Sequence, residues 1–287
     1  MILVTGATGN VGGHVVRLLT DAGASVRVLA RDPRKAAALG AAEVVHGDLG
    51  QPELLPAALD GISAVFLFAV PGSGPAFVAA ARAAGVARIV MLSSDAVDEG
   101  AAEQANPIAQ YHADIEAEVR GSGIAWTLLR SGHMATNALP WGAQTKAGDV
   151  VRGPYAGATS APVHEADLAE IAVLALTGEG HEGRTYGLTG PESVTAAEQV
   201  ALIGAAIGRP LRYEELPPEV AREQMSRFIP PFIIDTLFAG WAASVGVPAV
   251  VEPTFEKLTG RPARTFAQWA ADRAADFDGA AGAADGA

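Results

Sequence analysis

The stretch Ile2-Leu3-Val4-Thr5-Gly6-Ala7-Thr8-Gly9-Asn10-Val11-Gly12 decides the fold. A short apolar run leads into three glycines spaced three residues apart, and a segment of helical period follows at once. A strand, a glycine turn and a helix start in this order form a cradle for phosphate. Gly6 permits the tight turn, Gly9 lets the backbone approach a pyrophosphate, and Gly12 lets the helix pack close to the strand. The residues entering the helix, Thr8, Gly9, Asn10 and Val11, surround free N–H groups and roughly half a positive charge, both of which favour an anion.

Beyond this turn, apolar β-type runs alternate with longer Ala-rich segments of helical period. That alternation is the pattern of βαβ units and a parallel sheet. It predicts strands over 2–5, 25–30, 43–46, 64–69, 88–92 and 125–129, with helices near 10–22, 33–39, 51–60, 74–84 and 106–121. The result is a six-stranded α/β domain of Rossmann type, doubly wound, with right-handed crossovers. From Arg130 onward the alternation fails. A Gly- and Pro-bearing stretch over 130–162 leads to a helix opened by Asp167, a short strand near 186–188, and a helix from Thr195, where Thr195-Ala-Ala-Glu198 reads as a capping box. These features divide the chain into a nucleotide domain over 1–130, a smaller substrate-binding region over 131–278 partly woven into the core, and a disordered tail over 279–287.

The end of the second strand selects between the two nicotinamide dinucleotides. An acid there binds the ribose 2′-hydroxyl of NAD, whereas an arginine accepts a 2′-phosphate. The sequence reads Leu29-Ala30-Arg31-Asp32-Pro33-Arg34-Lys35. Arg31 occupies the contact position with Lys35 or Arg34 in support, and Asp32 falls one residue late, as a helix cap would. The expected cofactor is NADPH. Composition narrows the alternatives. With 20 Lys and Arg against 32 Asp and Glu, a net charge of −12 and no basic cluster, the chain is not expected to bind nucleic acid. It has no cysteine, so disulfide, thiolate and cysteine-nucleophile chemistry are excluded. No run of about 20 apolar residues is present. The expected setting is cytoplasmic, away from a membrane.

Taken with Thr5-Gly-Ala-Thr-Gly-Asn-Val-Gly12, several later segments give the chain a resemblance to the atypical short-chain dehydrogenase/reductases, and within them to the NmrA-like NAD(P)H-binding group. These are Gly47-Asp48-Leu49, Leu67-Phe68-Ala69-Val70, Ser93-Ser94, Ser122-Gly123 through Arg130, Met134 to Asn137, Val163 to Ala169, Leu188 to Pro191, and Thr259 to Phe266 with Trp269. The resemblance implies that Asp48 and Leu49 contact the adenine and that Phe68, Ala69 and Val70 line the nicotinamide ribose. It also exposes a departure. Reductases of this type commonly carry Tyr-x-x-x-Lys, with a Glu four residues after the Lys and six before the Ser-Gly turn. Counting back from Ser122 puts that Glu at Glu116, the Lys position at His112 and the Tyr position at Ile108. Tyr111 lies off that face of the helix.

The remaining candidates for chemistry are His112, as a proton donor whose imidazolium Glu116 would favour, and Ser94, at a strand end, as a hydrogen-bond donor to a carbonyl. Met134, Asn137, Trp141, Phe228 and Phe232 are expected to face a flat hydrophobic small molecule, with Trp241 nearby and Pro230-Pro231 making an irregular lid. His133 and His164 have no partners at a metal-binding spacing, and no metal is expected. The leading expectation is an NADPH-dependent reductase of a hydrophobic carbonyl, quinone or conjugated substrate. The alternative is a non-catalytic dinucleotide sensor, which the missing Tyr-Lys pair fits equally well. A nucleotide-sugar epimerase would need the absent tyrosine.

Overall fold

The structure, a computed structural model, describes residues 1–68 and 70–279; Ala69 and residues 280–287, with the expectations attached to them, lie outside the described residues. The chain forms two compact units.

The first unit comprises Met1–Gly132, Glu165–Leu188 and Lys257–Thr259. Its sheet contains β1 (Ile2–Val4), β2 (Val26–Ala30), β3 (Glu43–His46), β4 (Ala64–Phe68), β5 (Arg88–Ser94), β6 (Ala125–Ser131) and β7 (Arg184–Leu188). They run in the order β3-β2-β1-β4-β5-β6-β7, and every neighbouring pair is parallel. The strand order reverses between β1 and β4, the place where open α/β sheets bind ligands beyond their carboxyl ends. The strands are linked by α1 (Asn10–Asp21), α2 (Pro33–Ala36), α3 (Leu55–Leu59), α4 (Gly74–Ala83), α5 (Pro107–Gly121) and α6 (Glu165–Thr177).

Helices cover both faces, so the central strands are apolar throughout. Leu3, Val65, Leu67, Ile89, Met91 and Leu128 pack with Phe77 of α4 and with Ile115 and Val119 of α5. On the other face α1 lies against α6. That position explains why α6 is apolar nearly all round, with Leu168, Ala169, Ile171, Ala172 and Ala175 buried.

Two expectations need correction here. The sheet has seven strands rather than six, because the short strand expected near 186–188 begins at Arg184 and pairs with β6, Thr127 opposite Arg184. Helix α6 begins at Glu165, so Asp167 sits in its first turn, where a carboxylate complements the helix dipole, and does not cap it.

The second unit comprises His133–His164, Thr189–Glu256 and the described part of residues 260–287. Two short ladders organise it: Thr159–Ser160 antiparallel to Val194–Thr195, and Val150–Gly153 parallel to Arg212–Glu215. Its core gathers Trp269, Phe266 and Phe277 with Val200 and Ile203. The helix Ala196–Ala206 carries the expected capping box, Thr195 and Glu198 each closing on the other's backbone N–H. The Pro230-Pro231 pair is not irregular. Pro231 is the first residue of the helix Pro231–Ser244, where a missing N–H costs nothing.

Gly12 tests the packing of α1 on β1. A Cβ there would lie 2.3 Å from the Gly6 oxygen and 2.7 Å from the Gly6 carbonyl carbon, both backbone atoms that cannot swing aside. Gly12→Ala is expected to destabilise the protein by about 2–3 kcal/mol, an overpacking cost. At this size that lowers the thermal midpoint by roughly 5 °C or more. An unchanged midpoint in a melting experiment would show that α1 does not approach the turn this closely.

Candidate cofactor and active site

The glycine turn is built from backbone constraints. Gly6 has φ 63°, and a Cβ on it would meet the Phe68 Cβ at 2.8 Å. The Gly9 N–H donates to the Gly6 oxygen at 2.9 Å and the Gly13 N–H to the Gly9 oxygen at 3.0 Å, so the N–H groups of Asn10, Val11 and Gly12 precede the first helical bonds. Thr8, Gly9 and Asn10 are exposed, whereas Val11 and Gly12 are buried against the sheet. At Gly9 a Cβ would meet only the Gly6 oxygen, at 3.2 Å, so the space beside this residue is open on its outer side. Exposed backbone donors, an open approach and a helix dipole together fit a pyrophosphate.

Thr5 shapes the turn in a way that the sequence reading missed. Its hydroxyl donates to the Phe66 oxygen at 3.1 Å and accepts the Phe68 N–H at 2.8 Å. This pins the end of β4 to the end of β1 and holds Phe68, 45 % exposed, against Gly6. A hydroxyl residue ending the first strand was the available signal. Val70 is half-buried against the core that also contains Leu49.

At the end of β2, Arg31 is exposed and has no partner among the described residues, and Lys35 is exposed beside it. Asp32 is already engaged. Its carboxylate caps α2 through the Arg34 N–H at 3.1 Å and pairs with the Arg34 side chain at 3.1 Å, which holds its pKa below the usual carboxylate value. At the end of β3, Asp48 accepts the Gly50 N–H at 2.9 Å, shaping the loop there.

Helix α5 starts at a true cap, the Asn106 side chain accepting the Ala109 N–H at 2.9 Å. Tyr111 and His112 stack with ring centroids 4.2 Å apart, and Tyr111 packs on the core, where burial raises its pKa. The expectation of a charged His112 fails. Burial pushes its pKa down to about 4 against the opposing pull of Glu116, and its Nδ1 is fully buried with no hydrogen-bond partner among the described residues. Glu116 cannot compensate, because its carboxylate is spent on Ser93 at 2.6 Å and on a bidentate pair with Arg130 at 2.6 and 3.0 Å. At the carboxyl end of β5 the Ser94 oxygen accepts the Ala96 N–H at 3.2 Å, and its hydroxyl hydrogen is left to donate.

In the second unit Met134 bridges to Val163, Asn137 is exposed, and Trp141 packs edge-on to Tyr213. Phe228 is 87 % and Phe232 50 % exposed; Trp241 instead packs beside Phe238. His164 lies 3.3 Å from Asp272, and burial lowers the His133 pKa to about 4. Among the described residues no group of three or more His, Cys, Asp or Glu is placed to hold a metal, and no helix is long and apolar enough to cross a membrane.

Residues 6–179 match the family model described as NAD(P)H-binding. A (4-alkanoyl-5-oxo-2,5-dihydrofuran-3-yl)methyl phosphate reductase of Streptomyces griseus is 44% identical over 96% of this chain and 99% of its own. An NAD(P)H azoreductase of Xenophilus azovorans is 36% identical over 98% of this chain and its whole length. An NADPH-dependent quinone oxidoreductase of Escherichia coli, solved with NADPH, superposes with a TM-score of 0.78 at 28% identity, over 95% of this chain and 99% of its own.

The two histidines whose pKa burial lowers, His112 and His133, set a pH dependence of stability. Their folded pKa values lie near 4 and their unfolded values near about 6.5. Between those limits the unfolded chain binds more protons, so stability is complete above pH 6.5 and is lost as pH falls toward 4. The urea midpoint is expected to drop across this window, and His112→Gln with His133→Gln to remove most of the slope above pH 5. A flat midpoint in the parent would contradict the lowered pKa of both rings.

Proposed function

We propose that this chain, which belongs to the NAD(P)H-binding, NmrA-like family of atypical short-chain dehydrogenase/reductases and is an NAD(P)H-dependent oxidoreductase, reduces a hydrophobic conjugated acceptor with NADPH. The acceptor class is a quinone, or a carbonyl conjugated with a double bond. The observation that carries the reading is the face of α5, where Ile108 and an uncharged His112 stand at the positions of the Tyr-Lys pair.

The glycine turn and the start of α1 would hold the pyrophosphate, Arg31 with Lys35 the 2′-phosphate, Asp48 and Leu49 the adenine side, and Phe68 with Val70 the nicotinamide ribose. Bound there, the reduced nicotinamide supplies a hydride. An isolated ketone would become a strongly basic alkoxide and need a proton at once. A quinone or conjugated carbonyl instead spreads the arriving charge onto a carbonyl oxygen, as phenolate or enolate. Hydrogen bonds are enough to stabilise such an anion until solvent protonates it.

Ser94 supplies one of these bonds. We assign the single ring proton of His112 to Nε2, since an unpartnered buried N–H at Nδ1 is the costlier arrangement, and so make it the second donor. A neutral imidazole donor acts electrostatically without releasing its proton. The names of the relatives support this class. A 5-oxo-2,5-dihydrofuran bearing a 4-alkanoyl group contains a carbon–carbon double bond conjugated with carbonyls, and azo compounds and quinones are likewise conjugated acceptors. The absent Tyr-Lys pair fits a sensor as well, but the likeness to named reductases favours the enzyme.

The test is NADPH oxidation with menadione and, in parallel, with an unconjugated ketone of similar size. The quinone should be turned over and the ketone left untouched. The kcat should stay level from pH 6 to 8, where an imidazolium acid with a pKa of about 6.5 would lose activity. His112→Phe should lower kcat by about a hundredfold, as removal of an oxyanion donor does, with little change in NADPH affinity. Tyr111→Phe should cost less than about threefold. Equal rates on the two acceptors, or a kcat that falls through pH 6.5, would defeat the mechanism.

A further inference from the structure

Glu116 is 3 % exposed, yet its carboxylate has partners from several elements. Ser93 on β5 donates its hydroxyl to Oε1 at 2.6 Å. Arg130 on β6 donates Nε to Oε1 at 3.0 Å and Nη2 to Oε2 at 2.6 Å. Arg120, one turn along α5, places Nη2 3.6 Å from Oε2 and lies over the Trp126 ring. Glu99, from the segment between β5 and α5, pairs with both guanidinium groups, at 2.6 Å and 3.2 Å. Two carboxylates and two guanidinium groups leave this cluster without net charge.

Ser93 and Arg130 are directly opposite each other in the β5–β6 ladder. Glu116 therefore pins α5 over a single rung near the carboxyl edge of the sheet. The apolar residues that α5 buries, Ala109, Ile115 and Val119, are non-directional and tolerate a small slide or roll of the helix. A bidentate carboxylate–guanidinium pair does not, because its two bonds weaken steeply once distance and angle change. An apolar pair of similar volume would hold the helix as firmly, so stability alone does not explain an ionic clamp. Its place does. His112 precedes Glu116 by one turn on the same helix face, and Ser94 follows Ser93 on the strand.

We propose that Glu116 is a positioning residue of the reductase site. Clamped by Ser93 and Arg130, it sets the rotation and height of α5, so that His112 and the Ser94 strand end keep one fixed relation. The proposal rests on the reading of His112 as a hydrogen-bond donor to the acceptor. It assigns to an ion pair behind the site the orienting task that a lysine at position 112 would otherwise share.

The experiment uses the full chain with NADPH and menadione. It compares Ser93→Ala, Glu116→Gln, the paired apolar change Glu116→Leu with Arg130→Met, and His112→Phe. Four quantities are read: the thermal midpoint, NADPH affinity by nicotinamide fluorescence, kcat, and the ¹⁵N shifts of the His112 imidazole. Glu116→Gln should lower kcat by about tenfold or more, leave NADPH affinity within about twofold, and move the His112 shifts. The paired apolar variant should regain the thermal midpoint of the parent while kcat stays about tenfold low. Ser93→Ala, the mildest change, should keep the fold and lose about threefold in kcat with a smaller shift at His112. If the paired variant recovers kcat together with stability, the clamp only stabilises and the proposal is overturned. If the larger changes do not fold, Ser93→Ala decides alone: parental kcat and parental His112 shifts overturn the proposal. Full activity in His112→Phe would overturn the reading of His112 and this proposal with it, whereas loss there beside full activity in Glu116→Gln overturns the proposal only.

Discussion

The close approach of α1 to the end of β1 is the constraint on which the rest depends. With no Cβ at Gly12 the helix can sit on the Gly6 carbonyl, and with φ 63° at Gly6 the chain can turn beneath it. That contact aims the first N–H groups of α1 outward at the reversal point of the sheet. Thr5 extends the same constraint across to β4, since its hydroxyl bonds the backbone of both Phe66 and Phe68 and holds the end of that strand beside Gly6. The cradle thus comes from steric exclusion and two side-chain hydrogen bonds, without a charged residue.

Charge enters around the cradle and is distributed unequally. Asp32 and Arg34 neutralise each other at the surface, whereas Arg31 remains available. Behind α5, Glu116 and Arg130 satisfy each other within the fold. The consequence for chemistry lies with His112, whose ring is left neutral because burial disfavours the cation more than the charge of Glu116 favours it. On the mechanism proposed above, these residues suit acceptors that stabilise their own reduced anion, and donation of hydrogen bonds would replace donation of protons.

Much of this was legible in the sequence because its causes are local. The glycine spacing, the apolar strands and the capping box at Thr195 are read from neighbouring residues, and the parallel sheet follows from their alternation. What escaped depends on residues far apart in the chain. The segment Arg184–Leu188 is polar and short, and only pairing with β6 makes it the seventh strand. The i to i+4 spacing of His112 and Glu116 suggested an imidazolium, but Arg130, fourteen residues beyond Glu116, claims that carboxylate. Pro230-Pro231 read as a break because the same residues that end helices also begin them.

On the proposed reading, the turn from Gly6 to Gly12 holds a dinucleotide whose 2′-phosphate is met by Arg31. Its most direct test is the pair of dissociation constants for NADPH and NADH, measured by fluorescence on the parent and on Arg31→Ala. NADPH is expected to bind tighter by roughly tenfold or more in the parent, equivalent to a charge-assisted hydrogen bond of about 1.5–3 kcal/mol, with most of that gap gone in Arg31→Ala. Equal constants for the two cofactors in the parent would contradict it.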